Sequence, residues 1–204
     1  MFSRSKDTNE PGFLQRHFGH QVGSVVAFIF DVLQIVIVSA AIIMVIRYFL
    51  IQPFYVKGAS MEPNFYDREY LIIDELTFRF RAPERGEIVV FRYPRDPSQY
   101  FIKRIVGLPG ETVEVIDGHV VVYNDIYPNG IILEEAYLDD SVTEGKKKVT
   151  LGTTEYYVLG DNRDESLDSR SFGPVLDTFL VGRVWIRGLP LSRIGHFTSP
   201  EYQF

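Results

Sequence analysis

The string Tyr100-Phe101-Ile102-Lys103-Arg104-Ile105-Val106 decides the fold class, because it alternates with a period of two. In a strand, Phe101, Lys103 and Ile105 share one face, and Ile102, Arg104 and Val106 share the other. Tyr70–Asp74, Glu87–Phe91, Thr112–Ile116 and Glu155–Leu159 read the same way. Turn signals separate these runs: Arg85-Gly86, Leu108-Pro109-Gly110, Asp117-Gly118, Pro128-Asn129-Gly130 and Gly160-Asp161-Asn162. Only a short turn around Pro174 to Phe179 reads as helical. Residues 52–204 are therefore expected to form a mainly β, many-stranded antiparallel domain without internal repeats. A hairpin and polar loop over about 117–149 is expected as a small insertion, with Asp139-Asp140 and Glu144-Gly145 in solvent.

The chain changes character before residue 52. From Val22 to Ile51 the formally charged residues are Asp31 and Arg47 alone. A helix needs about 20 apolar residues to cross a bilayer. An anchor over 25–51 meets that need, with Phe28 to Leu50 as its apolar core, Asp31 near one interface and Arg47 near the other. Tyr48, Phe49, Phe54 and Tyr55 suit an interfacial belt. A buried core helix would be unusually long and apolar on every face. A cleavable leader fits poorly, because apolar sequence continues past Ser39-Ala40-Ala41. Gln52-Pro53 is the expected helix stop. Residues 1–24 read as a mobile tail. The nine residues from Ile51 to Ser60 reach at most about 30 Å when extended, which holds Ser60 near the bilayer. Lysine and arginine lie on both flanks, so charge does not decide the orientation.

Composition closes off several classes. The net charge of −6 and the single basic run, Lys146-Lys147-Lys148, do not favour nucleic acid. That run reads as a solvated loop or strand edge. With no cysteine there is no disulfide scaffold, thiol nucleophile or thiolate metal site. The histidines, His17, His20, His119 and His196, form no HExxH pattern, so no metal and no cofactor are expected.

Three places could carry chemistry. Ser60 lies in Gly58-Ala59-Ser60-Met61-Glu62-Pro63, where Gly58 and Ala59 leave room for another backbone; the same string could equally be a plain loop. Lys103, flanked by apolar residues, is either a surface lysine covering apolar area with its stem or a desolvated amine of lowered pKa. In the second case its neutral form can take a proton from a serine hydroxyl. The string from Gly160 to Arg170 is either an exposed loop or a polar framework in which Asp161, Asp168 and Arg170 pair with neighbours.

Taken together these segments resemble bacterial type I signal peptidases, membrane-bound Ser/Lys endopeptidases that remove signal peptides. The likeness rests on Ser60-Met61-Glu62-Pro63, Gly86 to Phe91, Lys103 to Glu111, Gly160 to Arg170 and Pro190 to Gly195, in that order after an anchor. It implies Ser60 as nucleophile, Lys103 as general base and Ser166 as the serine that hydrogen-bonds and orients the lysine. Arg104, Asp161, Asp168 and Arg170 match framework positions, and Met61 and Pro63 would lie beside the substrate. Gly58 stands where some members carry a serine that helps the oxyanion hole, so here the hole would rest on backbone N–H groups, that of Ser60 included. Asn64 replaces a common threonine. The resemblance also implies a single-pass protein of the plasma (inner) membrane with an extracytoplasmic catalytic domain. Its partners would be preprotein signal peptides cut at Ala-x-Ala sites, the lipid bilayer and the export machinery. Two other readings compete: a self-cleaving Ser/Lys peptidase relative, and a membrane-tethered β module that binds export substrates without catalysis.

Overall fold

The computed structural model describes residues 20–49, 51–138, 142–200 and Tyr202. Most of the expected tail (1–19) and Asp139-Asp140 lie outside them. The chain divides into two units, Met1–Tyr48 and Phe49–Phe204.

The first unit holds helix α1, His20–Phe49. It begins inside the expected tail, five residues ahead of the expected anchor. Within it Ser24–Met44, 21 residues, is long and apolar enough to cross a membrane. Asp31 falls inside this window rather than near its edge, because Val25, Val26, Ala27 and Phe28 continue the apolar run on its N-terminal side.

The second unit is built on antiparallel strands. Gln52 and Pro53, expected as the helix stop, already belong to strand β1, Ile51–Tyr55. This strand pairs only with β2, Tyr70–Asp74, among the described residues. Proline has no N–H to give a ladder, and an outermost strand is where that costs least. The remaining strands of the larger sheet are β3 (Ile88–Tyr93), β4 (Asp96–Gly107), β9 (Glu155–Leu159), β10 (Val175–Leu176), β11 (Leu180–Leu189) and β12 (Gly195–His196). Their order is β1-β2-β11-β3-β4-β9-β10, with β12 paired to β11.

The smaller sheet has the order β7-β6-β5-β8, from β5 (Thr112–Ile116), β6 (His119–Tyr123), β7 (Ile131–Ile132) and β8 (Lys147–Thr150). The insertion is thus wider than 117–149. Asp117 and Gly118, with φ of 49° and 84°, close a two-residue turn that pairs Ile116 with His119 and so brings β5 into it. The lysine run ends on β8, an outer strand, where Lys148 Nζ lies 3.1 Å from Glu114 Oε2. Two short helices, α2 (Thr77–Phe80) and α3 (Ser169–Phe172), complete the regular structure, and Pro174–Phe179 becomes β10 plus a 3-10 turn.

Alternation along β3 explains the core. Val89 and Phe91 pack with Ile105, Val158 and Val175, while Ile88 and Val90 pack with Met61, Phe65, Leu71 and Ile73. A third cluster joins the sheets, with Val106, Tyr157 and Leu159 meeting Val113, Val120 and Val122. Phe91 is fully buried. Phe91→Ala is expected to lower stability by about 3–5 kcal/mol, measured by denaturant unfolding of the full chain in detergent, because the cavity it leaves cannot collapse fully.

Candidate active site

β4 carries two neighbours with opposite environments. β9 pairs with β4 from Arg104 onward, so on that side Lys103 and the residues before it have no strand partner among the described residues. There a groove of about 410 Å³ opens between residues 54–60 and residues 99–103, with Leu71 and Val90 also lining it. Lys103 is 3% exposed and its Nζ lies 5.5 Å from the Phe101 ring centroid. Burial pulls its pKa down from 10.5 to about 8, against the pull of the Asp168 and Asp161 carboxylates, which favour the charged form.

Ser60 reaches this lysine from the turn that follows β1. Lys103 Nζ hydrogen-bonds Ser60 Oγ at 2.8 Å and donates to the Ile102 carbonyl at 2.8 Å. The Ser60 turn is held from several sides. Glu62 N–H donates to Ala59 O at 3.0 Å, Phe65 N–H to Met61 O at 2.8 Å, and Asn162 N–H to Ser60 O at 3.1 Å. Asn64 Nδ2 donates to Asp161 Oδ2 at 2.8 Å and to Tyr137 O at 2.9 Å.

Asp161 in turn receives Arg104 in a two-pronged pair, Nε to Oδ1 at 2.8 Å and Nη2 to Oδ2 at 2.6 Å. Both side chains are buried. One carboxylate therefore ties the Ser60 turn to the strand residue next to the lysine. Asp168 caps α3 through the Arg170 N–H, pairs with the Arg170 guanidinium at 2.9 Å and accepts the Gly160 N–H at 3.2 Å. Gly160 is where two segments nearly touch. A Cβ there would sit 2.1 Å from Ser166 Oγ and 2.5 Å from the Ser60 carbonyl oxygen, so only glycine fits.

The expected residues do not all behave alike. Ser60, Lys103, Arg104, Asp161, Asp168 and Arg170 gather as described. Ser166 Oγ is buried beside Gly160 but has no hydrogen-bond partner, so the bond to Lys103 that the resemblance implied is not made in this structure. Gly58 lines the groove with φ of +89°, yet its N–H donates to Asp67 Oδ1 at 2.9 Å and is not free for an oxyanion. The Ser60 N–H has no acceptor among the described residues. Met61 is 1% exposed and packs in the core with Phe65 and Leu71, and neither it nor Pro63 lines the groove. The core claims Met61, which packs with Val56, Phe65 and Leu71.

Sequence reading missed Asn64 as a tether, although it shares the Ser60 turn. It also missed Arg163, which is buried, donates to Gly160 O at 3.0 Å and is gripped by Glu135 at 2.5 and 2.7 Å. Among the described residues no three His, Asp or Glu side chains are placed to hold a metal ion. An amine of lowered pKa on a serine hydroxyl, at the mouth of a groove, equips the site for acyl transfer to serine.

The chain also resembles known proteins. The family described as "Signal peptidase, peptidase S26" matches residues 29–188. A Synechocystis protein named "Probable signal peptidase I-2" is 40% identical over 169 residues, covering 79% of this chain and 74% of its own. Signal peptidase I of Leptolyngbya laminosa is 35% identical over 171 residues, covering 79% and 80%. A solved signal peptidase I from Enterococcus faecalis is 33% identical, with a TM-score of 0.44, over 51% of this chain and 97% of the other. With most of its length matched and its relatives this similar, the chain belongs to the signal peptidases of peptidase family S26.

Proposed function

We propose that the protein cleaves signal peptides from exported preproteins with Ser60 as nucleophile and Lys103 as general base. The observation that carries this is the 2.8 Å contact between Lys103 Nζ and Ser60 Oγ at a groove open to solvent. Neutral Lys103 takes the Ser60 hydroxyl proton as Oγ attacks the scissile carbonyl. The Ser60 N–H stabilises the oxyanion. As the C–N bond breaks, the lysine returns the proton to the leaving amine. A water then attacks the acyl-enzyme as it gives a proton to the same amine, and the lysine delivers that proton to Ser60 Oγ as the ester bond breaks, in the manner of a Ser–Lys variant of the serine hydrolase triad.

The groove suits an extended peptide. It runs between the outer strand β1 and the uncovered part of β4, so a substrate strand can add to free backbone groups. Its walls include Phe54, Tyr100 and Ile102, which favours small residues at the −1 and −3 positions, the Ala-x-Ala pattern. We place the protein in the plasma membrane, anchored by α1, with the β unit on the extracytoplasmic side, where signal peptides emerge from the export machinery. Anchoring turns the search for a membrane-held substrate into a surface encounter and raises its effective concentration.

Ser60→Ala and Lys103→Ala are each expected to lower preprotein cleavage by about 10³-fold or more with circular dichroism unchanged. Cleavage at the parental rate by either folded variant would refute the assignment. The pH profile carries a second expectation. Only the neutral amine acts, and with a pKa of about 8 that form is about one-tenth of the total at pH 7. The logarithm of kcat/KM should therefore rise with unit slope up to about pH 8 and level off above it. A profile flat from pH 6 to 7 would argue against a lysine base.

A further inference from the structure

The tethers around Ser60 converge on a residue outside the matched motifs, Tyr137, in the segment between β7 and β8. Its carbonyl accepts the Asn64 amide at 2.9 Å, and Asn64 sits on the Ser60 turn. Its ring lies under the Arg104 guanidinium, with Cζ 3.8 Å from the ring centroid. Its hydroxyl donates to Glu135 Oε1 at 2.7 Å, and Glu135 grips Arg163, which reaches the Gly160 carbonyl. Tyr137 thus touches the Arg104–Asp161–Asn64 link directly and reaches the Arg163–Gly160 link through Glu135.

The C-terminal segment closes on the same point. Tyr202 O–H donates to the Tyr137 hydroxyl at 3.3 Å. Pro200 and Tyr202 also fill the space in front of Gly86, where an added Cβ would meet Pro200 Cδ at 2.8 Å and Tyr202 Cε2 at 2.9 Å. The Gly86 carbonyl is itself an acceptor for Arg104 Nη1, at 2.9 Å. Two independent contacts, one through Tyr137 and one through Gly86, therefore join the end of the chain to Arg104, the residue beside Lys103.

We propose that Tyr137 and Tyr202 are positioning residues, through which the small sheet and the C-terminal segment hold Arg104 and the Ser60 turn in register for catalysis. Neither touches the groove, so they act on the rate of the chemical step and not on substrate affinity. Loss of the Tyr202 ring leaves Arg104 room to shift, which slackens its grip on Asp161 and on the Ser60 turn. Small displacements at a nucleophile are costly, because rate depends steeply on approach geometry. A slack Arg104 also leaves the Asp161 charge less neutralised and admits water to the lysine. Both effects favour the protonated amine.

The inference rests on the Ser60–Lys103 reading, and its test separates the two. Full-length parent, Tyr202→Ala, Tyr202→Phe and Tyr137→Phe are purified in detergent and assayed on a signal-peptide substrate from pH 6 to 9.5. Rates are scaled to folded enzyme measured by circular dichroism. Ser60→Ala serves as the inactive reference. Tyr123→Phe, which removes a tyrosine–Glu114 bond elsewhere on the small sheet, serves as the neutral control. Tyr202→Ala is expected to lose about tenfold in kcat with KM within about twofold. Its acid limb should move up by about half a pH unit or more. Tyr202→Phe, which keeps the ring against Gly86, should recover most of the rate, and Tyr137→Phe should fall between. Parental kcat and an unmoved acid limb in Tyr202→Ala would overturn the inference while leaving the dyad intact. A thermal shift without those changes would overturn it too, since that is what mere packing predicts. An active Ser60→Ala would instead overturn the reading beneath it.

Discussion

The site depends on one buried ion pair. Arg104 and Asp161 meet through two short hydrogen bonds, and their positions in the chain give that contact its reach. Arg104 follows Lys103 on β4, and Asp161 follows the glycine that touches the Ser60 carbonyl. Through Asn64 the same carboxylate holds the turn that presents Ser60. Removing one partner of such a pair typically costs about 3–5 kcal/mol, because a charge is left buried alone. Here the loss would fall on the contact between Ser60 Oγ and Lys103 Nζ as well as on stability.

Lys103 shows how close the balance is. Burial among apolar groups discourages its charge, while two carboxylates on the loop after β9 encourage it. Each carboxylate already has an arginine of its own, Arg104 for Asp161 and Arg170 for Asp168. Those arginines weaken the carboxylates' hold on the lysine proton. The framework pairs thus do electrostatic work besides bracing the loop: they let desolvation prevail, so that a free amine is available near neutral pH.

Much of this was legible in the sequence because it is local. Alternation marks β2, β5 and β9 to the residue, and it assigns Phe101 and Ile105 to a different cluster from Ile102. The Asp117-Gly118 turn is equally plain. The apolar run of α1 could be seen, but not its start at His20, since helices extend past their apolar segment without a fixed signal. What sequence could not show was long-range. Nothing in Glu135 or Tyr137 says that it will meet Arg163, Arg104 and Asn64, residues 28, 33 and 73 positions away. Met61, which the resemblance put beside the substrate, is taken by the core through contacts with residues the local sequence does not name. Gly58 was expected beside the oxyanion hole, and Asp67, nine residues on, takes its amide.

The groove's two unpaired strand edges have one more consequence. A site of this shape selects for conformation before it selects for sequence. A chain enters only if it can lie extended with its own backbone groups free, and helices and the interiors of sheets have already committed theirs. A folded domain would therefore be a poor fit for this groove, whatever its sequence. The same edges could attract other strands, and the shortness of β1, five residues, limits that hazard on its side. Discrimination between what is cut and what is left alone begins, on this view, with whether the target has yet folded.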